Sequence, residues 1–261
     1  MGWGGVTPPD VLVLCYHAVS ERWRSPLTIS PGAMEDQLER VLARGYEPVT
    51  FSTSVLHPPA ARTLAVTFDD AFRSVRDIAL PVLRRLGVPA TVFAPTALVG
   101  RPEPMAWAGL EAWARGPHAD ELRVLGWDDL AGLAAAGWEI GSHTRTHPRL
   151  PGLDDEALAR ELHGSRTDCE AALARPCRAL AYPYGAVDAR VVRAAAAAGY
   201  QAAASPLGRP LGHPALAFAR IGLYERDERA RLRAKLSPRV RRMQRSPAWP
   251  RVARVARMAR L

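Results

Sequence analysis

Short apolar runs alternate with amphipathic stretches through most of the chain. The runs Val11–Tyr16, Glu47–Phe51, Leu64–Phe68, Ala90–Pro95, Trp138–Ser142, Ala179–Tyr182, Tyr200–Ser205 and Ala217–Tyr224 read as strands. Several are rich in Val, Thr and aromatics and show little polar alternation, as parallel strands buried on both faces do. Helical patterns lie between them. Pro31–Arg44 follows Ser30, a good N-cap, and stops at Gly45; Asp128–Ala136 stops at Gly137. Asp154–Ala174 and Asp188–Ala198 complete the set, the last ending at Gly199. Each helix leads into a strand within a few residues, the repeating unit of a parallel sheet. Seven or eight such units fit a closed barrel better than an open sheet, though the count alone leaves both open. The stretch 101–125, with Pro, Gly and two tryptophans but no clean period, reads as an inserted loop with short helical pieces. No internal repeat stands out.

Composition changes this picture little until charge is divided along the chain. The 261 residues are 48% apolar and 23% charged, ordinary for a globular domain and unlike a disordered or fibrous chain. No apolar run approaches the length of a membrane-spanning helix. Met1–Asp10 has no Lys or Arg, and the apolar run after it is short, so no secretory leader is read and the cytoplasm is expected. Cys15, Cys169 and Cys177 are odd in number and lack metal spacing, as for idle thiols in a reducing compartment. The net charge of +9 belongs to the end of the chain: residues 1–226 carry −1, and residues 227–261, with 11 Arg, Lys235 and two acids, carry +10. The boundary is therefore placed between a barrel domain, 1–226, and an Arg-rich tail, 227–261. In the tail Trp249, Val252, Val255, Met258 and Leu261 alternate with Arg251, Arg254, Arg257 and Arg260. A basic segment with Trp and Met suits the surface of an anionic membrane, here its inner face, as well as a solvated end. The barrel has no charge excess to track phosphates, so nucleic acid is not expected as a partner.

Three constellations fall at strand ends. Thr67-Phe68-Asp69-Asp70 closes the third run; of two adjacent carboxylates, one can hold a metal while the other acts as a base. Asp128-Asp129 and Asp154-Asp155 are also pairs, but they stand at helix starts, where carboxylates favour the dipole. Ser142-His143-Thr144-Arg145-Thr146-His147 follows the fifth run, and two imidazoles four apart can converge on one ion. Two His and one Asp would make three protein ligands with open positions, the pattern of a catalytic metal site. Ala179-Leu180-Ala181-Tyr182-Pro183-Tyr184-Gly185 is a strand and a turn that could aim a backbone N–H at an oxyanion. Tyr16-His17 closes the first run. In a parallel barrel all these strand ends share one face.

These motifs, in this order, resemble the polysaccharide deacetylases with a NodB-homology domain (carbohydrate esterase family four). Leu14-Cys15-Tyr16-His17 and Ala219-Arg220-Ile221-Gly222 look like a bacterial, glycan-biosynthetic branch, and the likeness covers about residues 11–226. The resemblance implies a deformed (β/α) barrel of about seven parallel strands in a single domain, and hydrolysis of an N-acetyl group from an amino-sugar glycan or its lipid- or nucleotide-linked precursor. It implies a divalent metal, zinc first and Co²⁺ or Fe²⁺ next, held by Asp70, His143 and His147. Asp69 would take a proton from the attacking water, and the backbone N–H of Tyr184 would face the oxyanion. Two departures from the family pattern stand out. Many members have an arginine before the Pro-Tyr turn that tethers the base; here that position is Ala181, and Arg220 is expected to supply the charge. Many carry a late histidine that protonates the leaving amine; the last run has none, and His17 and His213 are its stand-ins. Two other readings stay open: hydrolysis of a non-sugar amide on the same barrel, and a non-enzymatic basic binding protein acting through its tail for membrane or nucleic acid.

Overall fold

The computed structural model describes residues 9–107, 109–205, 211–227 and 229–244. Its strands are β1 (Asp10–Tyr16), β2 (Ala18–Val19), β3 (Thr28–Ile29), β4 (Glu47–Val49), β5 (Arg62–Asp69), β6 (Ala90–Ala94), β7 (Glu139–Ser142), β8 (Ala179–Ala181), β9 (Ala202–Ser205), β10 (Phe218–Ala219) and β11 (Ile221–Gly222). Its α-helices are α1 (Pro31–Leu42), α2 (Phe51–Leu56), α3 (Leu80–Arg85), α4 (Glu111–Ala114), α5 (Trp127–Ala135), α6 (Asp155–Leu173), α7 (Ala189–Ala197), α8 (Arg229–Leu236) and α9 (Pro238–Gln244).

The main sheet runs β10-β9-β8-β7-β6-β5-β1-β11, and every pairing along it is parallel. Its two ends, β10 and β11, are separated in the chain by Arg220 alone, so one short segment pairs with β9 on one side and β1 on the other. The sheet is therefore almost closed into a barrel. β4 is the irregularity: it pairs with the first half of β5, at Thr63 to Ala65, while β6 takes the second half from Val66. All eight runs read as strands contain strand in the structure, the last as two dipeptides around Arg220.

The barrel interior is narrow because β8 and β9 line it with Ala179, Ala181, Ala202 and Ala204, and Phe51 and Phe93 fill the remaining space edge to face. Gly141 of β7 is required by that fit, since a Cβ there would lie 2.7 Å from the Phe93 ring. Alternate residues of β1 and β5, such as Leu12, Leu14, Leu64 and Val66, face outward into the larger core beneath the helices. Side chains cap the helices as expected: Ser30, Asp154 and Asp188 accept from Ala33, Ala157 and Val191 N–H at 3.3, 2.7 and 2.9 Å. Asp129 accepts from Gly126 N–H at the start of α5, so the other acidic pairs serve helix ends.

Two elements depart from the sequence reading. The segment after β5 is helical, a π turn Val75–Ala79 running into α3, although its periodic Val75, Ala79, Val82 and Leu83 are interrupted by Pro81. Proline has no N–H to give the ladder, and the wider turn before it absorbs the missing bond. The second departure concerns the division at 226/227. Leu232 and Leu236 of α8 are buried in the main core, Lys235 donates to Gly222 O at 2.7 Å and pairs with Asp227, and Arg241 of α9 donates to Asp10 at 2.9 Å. The first part of the basic segment is thus packed on the barrel. Trp249, Val252, Val255, Met258 and Leu261, with their interleaved arginines, lie outside the described residues. Among the described residues no helix is long and apolar enough to cross a membrane.

Candidate active site

The C-terminal ends of the strands surround a pocket of about 250 Å³ lined by His17, Asp69, Asp70, His143, His147, Tyr184 and Arg220. Seven of the residues singled out from the sequence meet there. Asp69 ends β5, and the turn after it swings Asp70 into the left-handed region, φ 69°, so that adjacent carboxylates point to different sides of the pocket. Ala71, Thr144, His147 and Tyr184 also hold positive φ; among the described residues the one other such non-glycine is Ala174 behind α6. A positive φ costs a side-chain-bearing residue about 1–3 kcal/mol, and its concentration around one pocket is typical of functional sites.

On one side, Arg220 grips Asp69 with two hydrogen bonds, Nη1 to Oδ1 at 2.6 Å and Nη2 to Oδ2 at 2.7 Å. Nη1 also donates to Thr67 Oγ1 at 3.2 Å, and the guanidinium lies 5.5 Å from the Phe93 ring centroid. Burial alone would raise the Asp69 pKa, but the charge and hydrogen bonds of Arg220, with His143 and His17, hold it well below the usual carboxylate range. Cys15 Sγ, 3.7 Å from Asp69 Oδ2, and His17 Nε2, at 3.9 Å, complete this side. Burial lowers the His17 pKa to about 4.

On the other side, His143 Nε2 and His147 Nε2 each stand 3.5 Å from Asp70 Oδ1. These distances are long for hydrogen bonds and match the spacing of donors sharing an ion at bonds of about 2.1 Å. Asp70 Oδ1 is buried with no hydrogen-bond partner among the described residues. Burial, and then the charge of Asp69, push the Asp70 carboxyl well above its usual range. An acidic oxygen so placed, facing two imidazole nitrogens, fits a divalent cation, whose charge would reverse both effects. His143 Nδ1–H donates to Ala181 O at 2.8 Å, which leaves Nε2 as the lone pair turned to the site. His147 Nδ1, also buried, has no such partner among the described residues.

The segment bearing both histidines is held from behind. Glu161 of α6 accepts from Arg145 N–H, Thr146 N–H and Thr146 Oγ1–H at 2.8, 2.9 and 2.6 Å, and Asp168 accepts from Thr96 Oγ1–H and Arg145 Nε–H. Ser142 Oγ accepts from Thr144 N–H and Thr144 Oγ1 from His147 N–H, closing the tight turn. Sequence reasoning did not find Glu161, Asp168 or Trp107, which stacks on His147; nothing local in the chain marks them. Ala181 is fully buried and offers only its carbonyl. Of the two stand-ins for the late histidine, His17 lines the pocket, whereas His213 is exposed and does not.

The polysaccharide deacetylase family model matches residues 57–203. The chain is 24% identical over 199 residues to YxkH of Bacillus subtilis; the match covers 74% of this chain and 63% of YxkH, so the chain spans less than two thirds of that relative's length. Its fold is similar to that of the Streptococcus pyogenes deacetylase PplD, solved with acetate (TM-score 0.73, 20% identity, 89% of this chain and 100% of that one). It is also similar to IcaB of Ammonifex degensii (TM-score 0.65, 22% identity, 94% and 96%). With more than half its length matched by the family model, the chain belongs to the polysaccharide deacetylase family.

Proposed function

We propose that this protein is a metal-dependent hydrolase that removes the N-acetyl group from an amino sugar of a glycan or of its lipid- or nucleotide-linked precursor. The observation that carries the reading is the buried Asp69, ionised in the grip of Arg220, beside the three converging donors of Asp70, His143 and His147. Family membership and the aromatic residues Trp107, Tyr184 and Tyr224 around the pocket, suited to a sugar ring, support it.

Asp70 Oδ1, His143 Nε2 and His147 Nε2 would hold a divalent cation, zinc before Co²⁺ or Fe²⁺ for this mixed N/O donor set. When bound, that ion polarises the acetyl carbonyl and lowers the pKa of water toward about 7. Asp69, fixed in direction and charge by the bidentate guanidinium, accepts the proton from the attacking water. The backbone N–H of Tyr184, on the turn after β8, faces the oxygen on which negative charge develops. The proton that Asp69 takes from water then passes to the leaving nitrogen, with His17, uncharged because burial lowers its pKa to about 4, as the relay on the Asp69 side.

Acetate release from N-acetylglucosamine oligomers and from lipid- or nucleotide-linked N-acetyl sugars tests the proposal, using chelated protein reconstituted with Zn²⁺ or Co²⁺. Release by the reconstituted protein and none by the chelated one is expected. Undiminished release after chelation, or hydrolysis confined to non-sugar amides, would overturn it.

A further inference from the structure

We propose that Trp107 is a positioning residue for His147, and that an aromatic clamp does for this ligand what a hydrogen bond does for His143. The inference rests on His147 being a metal ligand, as read above.

The two imidazoles are supported in different ways. A metal-ligating histidine normally donates its second ring N–H to an acceptor, which fixes tautomer and ring plane; losing that partner typically weakens metal binding about 10–100-fold. His143 follows the rule through Ala181 O. His147 does not: among the described residues no other residue partners its buried Nδ1, and its backbone stands at φ 64°. Packing fixes its ring instead. The Trp107 ring lies almost parallel to it, centroids 4.3 Å apart and planes 26° apart, and the Tyr184 ring meets it at 63° with centroids at 4.7 Å.

Trp107 is well placed to act as a fixed wall, because the inserted segment that carries it is tied to the turn that orients Asp70. Leu125 N–H donates to Ala71 O at 2.9 Å, Arg73 N–H to Arg123 O at 3.0 Å, and Phe72 forms an antiparallel bridge with Val124. Met105 and Leu110, on either side of Trp107, are buried in the main core, and its ring also approaches Phe72 at 6.4 Å. The insertion therefore connects two of the three ligands. It holds the backbone just after Asp70 through hydrogen bonds at Ala71 and Arg73, and it meets His147 through a ring face, a contact that needs a flat side chain rather than an apolar one of similar bulk.

The experiment titrates metal-free protein with Zn²⁺ by calorimetry and with Co²⁺ by its visible absorption, comparing wild type with Trp107→Phe, Trp107→Leu and Trp107→Ala. Thermal melting of the metal-free proteins checks folding. Wild type binds one equivalent; Phe keeps affinity within about fivefold, while Leu and Ala lose about 10–100-fold and broaden the Co²⁺ spectrum. Equal affinity and identical spectra for Phe and Leu, both folded, would overturn the clamp. Absence of binding by wild type would instead overturn the metal site on which the clamp rests. Should Ala fail to fold, the Phe–Leu comparison decides alone.

Discussion

Asp69 and Asp70 are consecutive and both buried, yet the two sides of the pocket they serve are in opposite electrostatic states. The Asp69 side carries its own counter-charge in Arg220, and its carboxylate is the stable form. The Asp70 side gathers a carboxyl oxygen without a hydrogen-bond partner and two imidazoles whose pKa values burial has lowered. A side neutralised from within is ready to accept a proton. A side short of positive charge is ready to accept a cation. One backbone turn into the left-handed region separates them, so a single local conformation gives two adjacent acids the opposite settings that the proposed base and ligand roles require.

The largest effects come from dismantling the cation side. Asp70→Ala, His143→Ala and His147→Ala should each reduce metal content to background and abolish acetate release while the melting profile of the metal-free protein persists. Normal metal content and near-normal rates in any one of them would remove that residue from the ligand set. Asp69→Asn should keep the metal and lose about 10²–10⁴ in turnover, because it removes only the base. A fall in metal content equal to that of Asp70→Ala would merge the two sides into one.

Arg220→Ala sharpens the comparison further. It should lower turnover by about 10–100-fold and destabilise the fold by about 3–5 kcal/mol, since it strands a buried charge. Adding Asp69→Asn should recover much of that stability, measured by urea denaturation, because the stranded charge is then gone. A double variant as unstable as Arg220→Ala would mean that the arginine supports the barrel by some route other than Asp69. Glu161→Ala should have the smallest effect, about 1–2 kcal/mol of stability and less than tenfold in activity, because the chain still enters and leaves the histidine turn through β7 and α6.

What the sequence disclosed depended on how local the signal was. Asp69, Asp70, His143, His147 and Tyr184 lie in short motifs at the ends of apolar runs, and a parallel barrel gathers strand ends on one face, so their convergence could be anticipated. Arg220 was legible by a different route, as a charge to replace the arginine missing at Ala181. Glu161 and Trp107 left no comparable trace, because their contacts join elements through packing and backbone N–H donors that no spacing encodes. The helix around Pro81 was hidden by a residue that ordinarily breaks the pattern. The division at 226/227 followed charge, whereas packing followed Leu232 and Leu236, two side chains too few to stand out among arginines.

The seam at Arg220 ties chemistry to the order in which the chain is made. The guanidinium reaches Asp69 across 151 positions of sequence, and it does so from the segment whose two dipeptide strands close the sheet on β9 and β1. A nascent chain that has already formed β1 to β9 holds every proposed ligand, yet its acid at position 69 has no cationic partner and the sheet has two open edges. Closure and activation are then one event. On the proposed roles, a chain lacking this seam would hold the ligand side complete but have no ionised base beside it.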